Sequence, residues 1–511
     1  MRPIPAARAT RGSMLTAAGL PGLALARARR VAGEFLRRNL QVIVFAQSRL
    51  STEILTTYLK GDFEGPPGTP ERIRGYRGGY LPTERRAIER GLRDGEILGV
   101  VSTNALELGV DIGRLDVSIL AGYPGSVAGT WQQFGRAGRR QGTSVAVLVA
   151  SGAPVDQYVI HHPDFLLDNT PEEARLDPDN LHVLLAHLRA ATFEMPFEPG
   201  EVFGPAPADD LLAFLGEEGQ VRQAADGRWY WSSENFPASE ISLRTAAPEN
   251  VVIIDTTPDR PRVLGEVDLF SAQVLVHERA IYIHESIQYY VDRLEWHERK
   301  AYVHKIDADH YTYANRAVTL KPLEVFAEEP ATGGHRKHGE VMVASLVTLF
   351  KKLKFVTDEN VGWGPIDLPE LELQTTAYWL TADRARDHWR RDELDIALLG
   401  AGRAIQTIAS VLLMVDPRDL GLVTQVRSPH AEEPTIYLYE AVPGGIGLSE
   451  RLWQRHDELL TGAADLIAAC DCDGGCPSCT GPRLEPNVDA RRLALRLLGE
   501  LGAGPRLAKA G

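Results

Sequence analysis

Cysteine is scarce in this 511-residue chain, and its four copies all lie between residues 470 and 479. So narrow a cluster argues against a secreted disulfide scaffold and favours a metal site in a reducing compartment. No run of 18 consecutive apolar residues occurs, which argues against a membrane span. We therefore expect a cytoplasmic protein without a membrane partner.

Acidic residues are absent from the first 33 positions, where arginines are frequent. Residues 1–150 hold 21 Lys and Arg against 12 Asp and Glu, a net charge of +9, whereas the whole chain has a net charge of −14. A basic region inside an acidic chain indicates local contact with phosphate groups. Met14–Ala26 is similar to the apolar centre of a signal peptide, but we favour a disordered leader over residues 1–22.

The clearest pattern in the chain runs from residue 99 to residue 140. Two short apolar runs, Leu98–Val101 and Val117–Ala121, predict buried parallel strands. The first run leads into small polar residues that include Thr103, which suit contact with a phosphate backbone. Farther on, Gly109 and Asp111 place a carboxylate beside a flexible stretch of backbone.

The same stretch ends in QQFGRAGR, residues 132–139. Arg136 and Arg139 lie three residues apart, so on one helical turn they share a face. Two guanidinium groups on one face can bind a polyphosphate through paired hydrogen bonds. The alternative is a surface arginine cluster at a helix C-terminus, but that interpretation does not explain the glycines.

Strands that alternate with helices over residues 35–150 predict a doubly wound parallel sheet, within a domain assigned to residues 23–155. The strand QVIVFAQ leads into Ser48 and Arg49. A second loop contains Arg77 and Gly78, and its glycines expose backbone N–H groups to a phosphate. For Arg77 alone, a solvated loop arginine is an equal alternative.

Further regions follow, as expected for a chain of this length. Residues 156–258 are mainly helical, and a helix pair with a small hairpin suits a winged-helix module. The aromatic run at residues 229–231 could stack on bases, although a strand that packs into a core is the favoured interpretation. Residues 259–356 contain short strands, one of them at 273–277, and predict a small antiparallel barrel or meander.

Two polar features lie in residues 259–356. Residues 333–339 predict a solvated loop. Lys351, Lys352 and Lys354 form a basic patch that suits a DNA strand, and a solvated strand edge is the rival interpretation. Beyond residue 357 the pattern predicts, in chain order, a long helix, a strand and a second helix, over residues 394–414, 435–442 and 448–469.

The four cysteines are Cys470, Cys472, Cys476 and Cys479, with the spacing C-x-C-x3-C-x2-C. Four thiolates so close together can surround one tetrahedral ion without long-range folding. Zinc is the preferred ion for a closed four-cysteine structural site, and an iron–sulfur cluster accepts the same ligands. No coordination position is left open, so we expect a structural site.

Taken in order, these motifs resemble the C-terminal half of YprA/MrfA-type superfamily 2 DNA helicases, and fungal RecQ-four-like helicases are similar in layout. Residues 103–111 resemble motif V, and residues 132–139 fit the motif VI pattern Q-x-x-G-R-x-G-R. The resemblance covers about residues 35–482. It implies an α/β architecture with a RecA-like parallel-sheet helicase C-terminal domain, α+β accessory modules, and a C-terminal α/β zinc-binding domain over residues 357–511.

The resemblance also implies roles for individual residues. Arg136 and Arg139 would face the ATP γ-phosphate, with Arg139 as the arginine finger, and Gln132 would contact the phosphate region. Asp111, with Gly109 nearby, would hold the ribose and couple it to the DNA side. Family members are 3′-to-5′ DNA translocases linked to repair of crosslinked or adducted DNA. The candidate DNA-binding residues are Ser48, Arg49, Arg77, Gly78 and Thr103.

The sequence lacks a G-x-x-x-x-G-K-[ST] phosphate loop, and it has no D-E-x-H/D metal motif at the end of a predicted strand; residues 392–395 match that pattern by letters only. Without the loop lysine and the carboxylate that holds Mg²⁺, half of the ATP site is absent. We therefore expect ATP and Mg²⁺ to bind only with the missing first RecA-like domain, supplied in cis or in trans. The expected partner is single-stranded or 3′-tailed DNA. A split-helicase subunit and a non-catalytic DNA- and zinc-binding adaptor are the alternatives.

Overall fold

A computed structural model describes residues 22–63, 65, 70–108, 110, 112–113, 115–138, 144–172, 177–241, 250–383, 385, 388–427, 433–482, 485 and 487–503. The predicted leader lies outside these residues except for Gly22. The described part of the chain forms three large sheets and two short hairpins, with helices packed around them.

The first domain is an open parallel sheet with helices on both faces. Its elements are α1 (Gly22–Leu36), β1 (Val42–Ala46), α2 (Arg49–Phe63), β2 (Ile73–Tyr76), α3 (Pro82–Asp94), β3 (Gly99–Ser102), β4 (Val117–Ala121), α4 (Val127–Phe134) and β5 (Val145–Val149). The strand order is β2-β3-β1-β4-β5, and every pair is parallel. Alternate residues of β1 enter two different apolar cores, one on each face, which explains its unbroken apolar sequence. The predicted RecA-like sheet is confirmed.

A helical region with two small hairpins follows. Its elements are α5 (Pro154–His161), α6 (Asp164–Leu167), α7 (Leu181–Glu194), β6 (Val202–Phe203), β7 (Ala206–Pro207), α8 (Asp209–Glu217), β8 (Val221–Gln223) and β9 (Trp229–Trp231). Helices α7 and α8 share a core to which Leu188, Leu212 and Val221 contribute, and Trp229 and Trp231 pack against it. The aromatic run therefore belongs to a core strand, as the favoured interpretation expected.

The next sheet, here called the β module, is mixed. It contains β10 (Asn250–Asp255), β11 (Arg262–Asp268), α9 (Leu269–Leu275), β12 (Ile281–His284), β13 (Ile287–Glu295) and β14 (Lys300–Ile306). β10 pairs in parallel with β14, so the predicted all-antiparallel arrangement is wrong. The strand predicted at 273–277 is also wrong, because Asp268 accepts a hydrogen bond from the Ser271 N–H at 2.8 Å and starts helix α9.

A six-stranded sheet crosses the predicted boundary between residues 356 and 357. It consists of β15 (His310–Ala331), β16 (Gly334–Lys354), β17 (Asn360–Pro365), β18 (Leu371–Thr381), β19 (Leu420–Gln425) and β20 (Thr435–Glu440). The order is β15-β16-β18-β20-β19, with β17 beside the second half of β16. The loop predicted at 333–339 is instead mostly strand, because β16 pairs there with β15 and β18 on its two sides. Tertiary pairing outweighs the polar composition.

The C-terminal helices are α10 (Arg391–Leu413), α11 (Leu448–Gln454), α12 (His456–Ala468) and α13 (Ala490–Glu500). The single helix predicted over 448–469 is two helices that break at Arg455. By length and composition α10 is apolar enough to cross a membrane, but 61% of its most apolar window is buried inside the protein. Its apolar side chains form one core with α12 and α13.

Candidate functional site

The carboxyl ends of β1, β3 and β4 open onto one cleft. β1 lies between β3 and β4, so the chain crosses to opposite sides of it. Ligands of open parallel sheets bind at such a reversal of strand order. The cleft is lined by Phe45, Ala46, Gln47, Thr103, Asn104, Glu107, Pro124, Ser126, Gly129, Gln133, Asp416 and Arg418.

Two of the predicted DNA-binding residues lie at this edge of the sheet. Thr103 lines the cleft directly after β3, and its hydroxyl accepts a hydrogen bond from the Ala105 N–H at 3.4 Å. Ser48 is exposed after β1, and its hydroxyl accepts a hydrogen bond from the Ser51 N–H at 3.1 Å. A hydroxyl has one donor and two acceptor positions, so the Thr103 side chain keeps a donor for a phosphate.

Arg49 and Gly78 lie close to each other beside this edge. A Cβ placed on Gly78 would lie 3.9 Å from Arg49 Nη2. Arg49 Nη1 lies 3.4 Å from Asp268 Oδ2 of the β module, with both side chains about one-third exposed. The structure thus brings Arg49 and Gly78 together, and their contact with DNA stays a prediction.

Arg77, also predicted to bind DNA, is buried where the first domain meets the β module. Its side chain is 1% exposed, and Nε donates a hydrogen bond to Glu53 Oε1 at 2.7 Å. Nη2 donates to the Tyr282 hydroxyl at 3.0 Å and to the Ile283 carbonyl at 3.1 Å. The predicted DNA contact therefore does not hold for Arg77, because its guanidinium joins two domains and does not reach the solvent.

The carboxylate partner of Arg77 is held just as firmly. Glu53 also accepts hydrogen bonds from the Tyr80 hydroxyl at 2.8 Å and from the Ser286 N–H at 3.1 Å. Burial lowers the pKa of Arg77, but Tyr282 and Glu53 outweigh burial and keep that pKa above its ordinary value. The network is a charged link between helix α2, the loop after β2 and the loop after β12.

Helix α4 carries the first half of the predicted phosphate-binding motif. Gln132 is exposed on this helix. Arg136 is 5% exposed, in contrast to the phosphate-facing position predicted for it. Its Nε donates to the Glu107 carbonyl at 2.9 Å, its Nη1 donates to the Val110 carbonyl at 2.9 Å, and its Nη2 also donates to Glu107. Arg136 thus holds the motif V loop in place through backbone carbonyls. Gly109, Asp111 and Arg139 lie outside the described residues.

Sequence reasoning missed the residues that the C-terminal domain contributes to the cleft. Arg418 Nη2 donates a hydrogen bond to the Pro124 carbonyl at 3.1 Å, and its Nε donates to Asp416 Oδ1 at 2.9 Å. Gly125 has φ +107°, and a Cβ there would collide with the Asp416 carboxyl group. Burial and the Asp416 carboxylate raise the pKa of Asp419 to about 6. The partners lie 294 residues apart in the chain, so no local signal predicts them.

The four cysteine sulfurs form a separate centre and lie within 4.8 Å of one another. The Sγ–Sγ distances are 3.6 Å for Cys470–Cys476, 3.6 Å for Cys472–Cys479 and 3.7 Å for Cys476–Cys479. Zn–S bonds of about 2.3 Å in a tetrahedron require sulfurs about 3.8 Å apart, so the cluster fits zinc. The turn between the two cysteine pairs needs the positive φ of Gly475, +110°.

Three segments of the chain match known protein families. Residues 27–141 match the helicase conserved C-terminal domain, residues 176–246 match the winged helix domain of ATP-dependent helicase HRQ1, and residues 401–480 match the MrfA Zn-binding domain. The chain is 47% identical over 479 residues to the "uncharacterized ATP-dependent helicase YprA" of Bacillus subtilis. The chain is similar to the C-terminal part of MrfA-type superfamily 2 helicases.

These relatives are longer than the chain itself. It covers 64% of YprA and 45% of the ATP-dependent helicase hrq1 of Schizosaccharomyces pombe, to which it is 26% identical, with 94% and 91% of its own length aligned. A crystal structure of the DUF1998 helicase MrfA bound to DNA matches with a TM-score of 0.70 and 47% identity over 93% of this chain and 64% of that one. A complex of MrfA with DNA and AMPPNP matches with a TM-score of 0.67 and 46% identity, over 93% and 62%.

Proposed function

We propose that this chain supplies the second RecA-like half, the accessory modules and the zinc-binding domain of an ATP-dependent 3′-to-5′ DNA helicase or translocase. It acts in the cytoplasm on single-stranded or 3′-tailed DNA in DNA repair. ATP and Mg²⁺ bind together with a first RecA-like domain, and zinc is held by the four cysteines. This chain covers less than two-thirds of its helicase relatives, so their activity is carried over here as a proposal.

One observation carries this proposal above the others. The motif VI arginine Arg136 donates hydrogen bonds to the carbonyls of Glu107 and Val110 in the motif V loop. That loop starts beside Thr103, and both Thr103 and Glu107 line the cleft. A nucleotide bound at motif VI would therefore be linked to a DNA strand at Thr103 through Arg136 and the motif V loop. Such a link is what a motor needs in order to couple hydrolysis to movement along DNA.

The test is a chimera in which the first RecA-like domain of the related YprA is fused before residue 23. Hydrolysis needs a phosphate cradle, Mg²⁺ and charge stabilisation of the transferred phosphoryl group. We expect DNA-stimulated ATPase activity from the chimera and none from the chain alone. In the chimera, Arg139→Ala should lower the rate by about 10³- to 10⁵-fold, and Arg139→Lys should restore little, because ammonium lacks the planar fork.

A second candidate function, a non-catalytic DNA- and zinc-binding adaptor, has one observation in its favour. Arg136 is buried and donates its hydrogen bonds to backbone carbonyls. One of the two motif VI arginines is therefore unavailable to a phosphate in this conformation. A chimera that binds DNA but hydrolyses no ATP, or one indifferent to Arg139, would favour the adaptor. Robust ATPase activity from the unfused chain would contradict both.

A further inference from the structure

An exposed apolar patch lies at the end of the six-stranded sheet, away from the cleft. Trp363 of strand β17 is 71% exposed, and Val361 on the same strand and Val356 in the turn before it are also exposed. Single exposed apolar residues are common on protein surfaces, but a group of them indicates a binding surface. The patch adjoins the first domain, because the Tyr58 hydroxyl accepts a hydrogen bond from the Val356 N–H at 2.7 Å.

The strand register places Trp363 in a row that crosses three strands. Lys351 of β16 is directly opposite Trp363 on one side and opposite Tyr313 of β15 on the other. Residues directly opposite each other share one face of a sheet. On the reverse face, Phe350 is buried against Gly364, its partner in β17. The row Tyr313–Lys351–Trp363 therefore lies on the face opposite Phe350, where its Tyr313 end packs against the core of the first domain and its Trp363 end is exposed.

The same alternation divides the three lysines. Lys351 lies on the face of Trp363, and Lys352 and Lys354 lie on the opposite face, because neighbouring residues of a strand alternate. Lys354 is paired with Glu359 at 3.7 Å, whereas Lys351 and Lys352 form no ion pair within the part of the chain that the structure describes. Of the three lysines in the basic patch, Lys351 is therefore an unpaired cation on the face of the exposed Trp363 indole. Lys352 is a second unpaired cation on the opposite face.

Nearby carboxylates do not neutralise Lys351. Asp358 accepts a hydrogen bond from the Tyr311 hydroxyl at 2.7 Å, and Glu359 is engaged by Lys354. Tyr313, on the other side of Lys351, packs against the core of the first domain, so Trp363 is the exposed ring beside Lys351. An exposed ring with a cation beside it matches a base and its adjacent phosphate in a single strand.

We propose that Trp363 and Lys351 form a stacking site for single-stranded DNA, in which the indole stacks on a base and the ammonium group binds an adjacent phosphate. This inference rests on the proposed function and adds a contact outside the cleft. Helix α2 connects the two places, since Arg49 at its start and Tyr58 nine residues later are about 14 Å apart along the helix.

The experiment titrates labelled oligothymidylate with the full chain at low salt and reads fluorescence anisotropy. Stacking on one aromatic side chain is worth about 5- to 150-fold in affinity. We expect Trp363→Ala to lose affinity within that range and Trp363→Phe to keep most of it. An abasic oligonucleotide of equal length should bind the wild type and Trp363→Ala equally. Phe326→Ala is the matched control, since Phe326 is exposed on the same sheet at a distance from the row.

The lysines provide a second readout. Lys351→Gln should reduce the slope of log affinity against log salt by about 0.7. Lys352→Gln, which removes the same charge from the opposite face, should change that slope much less. Equal effects of the two lysine variants would contradict the assigned face.

The outcomes also separate this inference from the proposed function. A wild-type chain that fails to bind the oligonucleotide overturns both. Binding that depends on Ser48 and Thr103 but not on Trp363 overturns the stacking site alone. Equal losses for Trp363→Ala on the normal and abasic strands also overturn it, because the indole would then not contact a base. Trp363-dependent binding to anionic lipid vesicles, without binding to DNA, would assign the patch to a membrane surface instead.

Discussion

The cysteine cluster and the two buried arginines differ in how far along the chain their partners lie. The four sulfur ligands come from ten consecutive residues and lie within 4.8 Å of one another. Arg77 binds Glu53, 24 residues away, and Ile283, 206 residues away, and Arg136 binds carbonyls 26 and 29 residues away. A compact motif supplies all of its ligands from neighbouring residues, whereas the role of a single arginine depends on the groups that the fold places beside it.

The largest effect is expected at the cysteines, whose four sulfur ligands all come from ten consecutive residues. Binding free energies of structural zinc sites are about 10–16 kcal/mol and are folding free energy. Cys476→Ala should abolish binding of one zinc per chain and loosen the C-terminal helices, while the RecA-like sheet stays folded. Elemental analysis and thermal unfolding measure the two effects. Ser478→Ala, within the same turn but not a ligand, should keep its zinc; iron with sulfide in the wild type would contradict zinc.

A smaller effect is expected at the buried ion pair of Arg77 and Glu53, whose partners are distant in the chain. Arg77→Met leaves the Glu53 carboxylate buried without its cation, which typically costs about 3–5 kcal/mol of unfolding free energy. Urea denaturation measures the loss. Arg293→Met is the control, because Arg293 forms an exposed pair with Glu295, and such pairs contribute at most about 1 kcal/mol.

The Arg77 test separates a structural role from the role first predicted. DNA affinity of the folded Arg77→Met protein should equal that of the wild type. A variant as stable as the wild type but weaker on DNA would restore the original prediction of a DNA contact. The role of Arg77 would then not be set by its distant partners.

The smallest effect is expected at Arg136. Arg136 donates its hydrogen bonds to the carbonyls of the motif V loop, so Arg136→Gln should open that loop locally and leave the unfolding free energy of the domain almost unchanged. Hydrogen–deuterium exchange of residues 107–110 should become faster with little change elsewhere. Gln132→Ala, an exposed change on the same helix, should leave that exchange unaltered. Unchanged exchange in Arg136→Gln would show that the loop is held by other contacts.

Much of the fold followed from the sequence pattern, and the failures have a common cause. Most of the parallel sheet was predictable, because β1, β3 and β4 are short, mainly apolar runs flanked by helical segments. Strand β2, with the sequence IRGY, has no such run and was not predicted. The strand predicted at 273–277 and the loop predicted at 333–339 were wrong, because Asp268 caps a helix and because β16 pairs on both sides. The long β15–β16 ribbon also joins regions that composition alone assigned to two domains.

By itself, the sequence determined the chemistry that short motifs hold: four thiolates spaced for one ion, and the order of RecA-like strands and helicase motifs. Only the tertiary structure decided which polar side chains face solvent and which bond inward. It buried Arg77 and Arg136, brought Asp416 and Arg418 to the cleft, and left Trp363 exposed beside Lys351. The physical reason is that burial and pairing depend on groups distant in the chain, and a pattern of neighbouring residues contains no record of them.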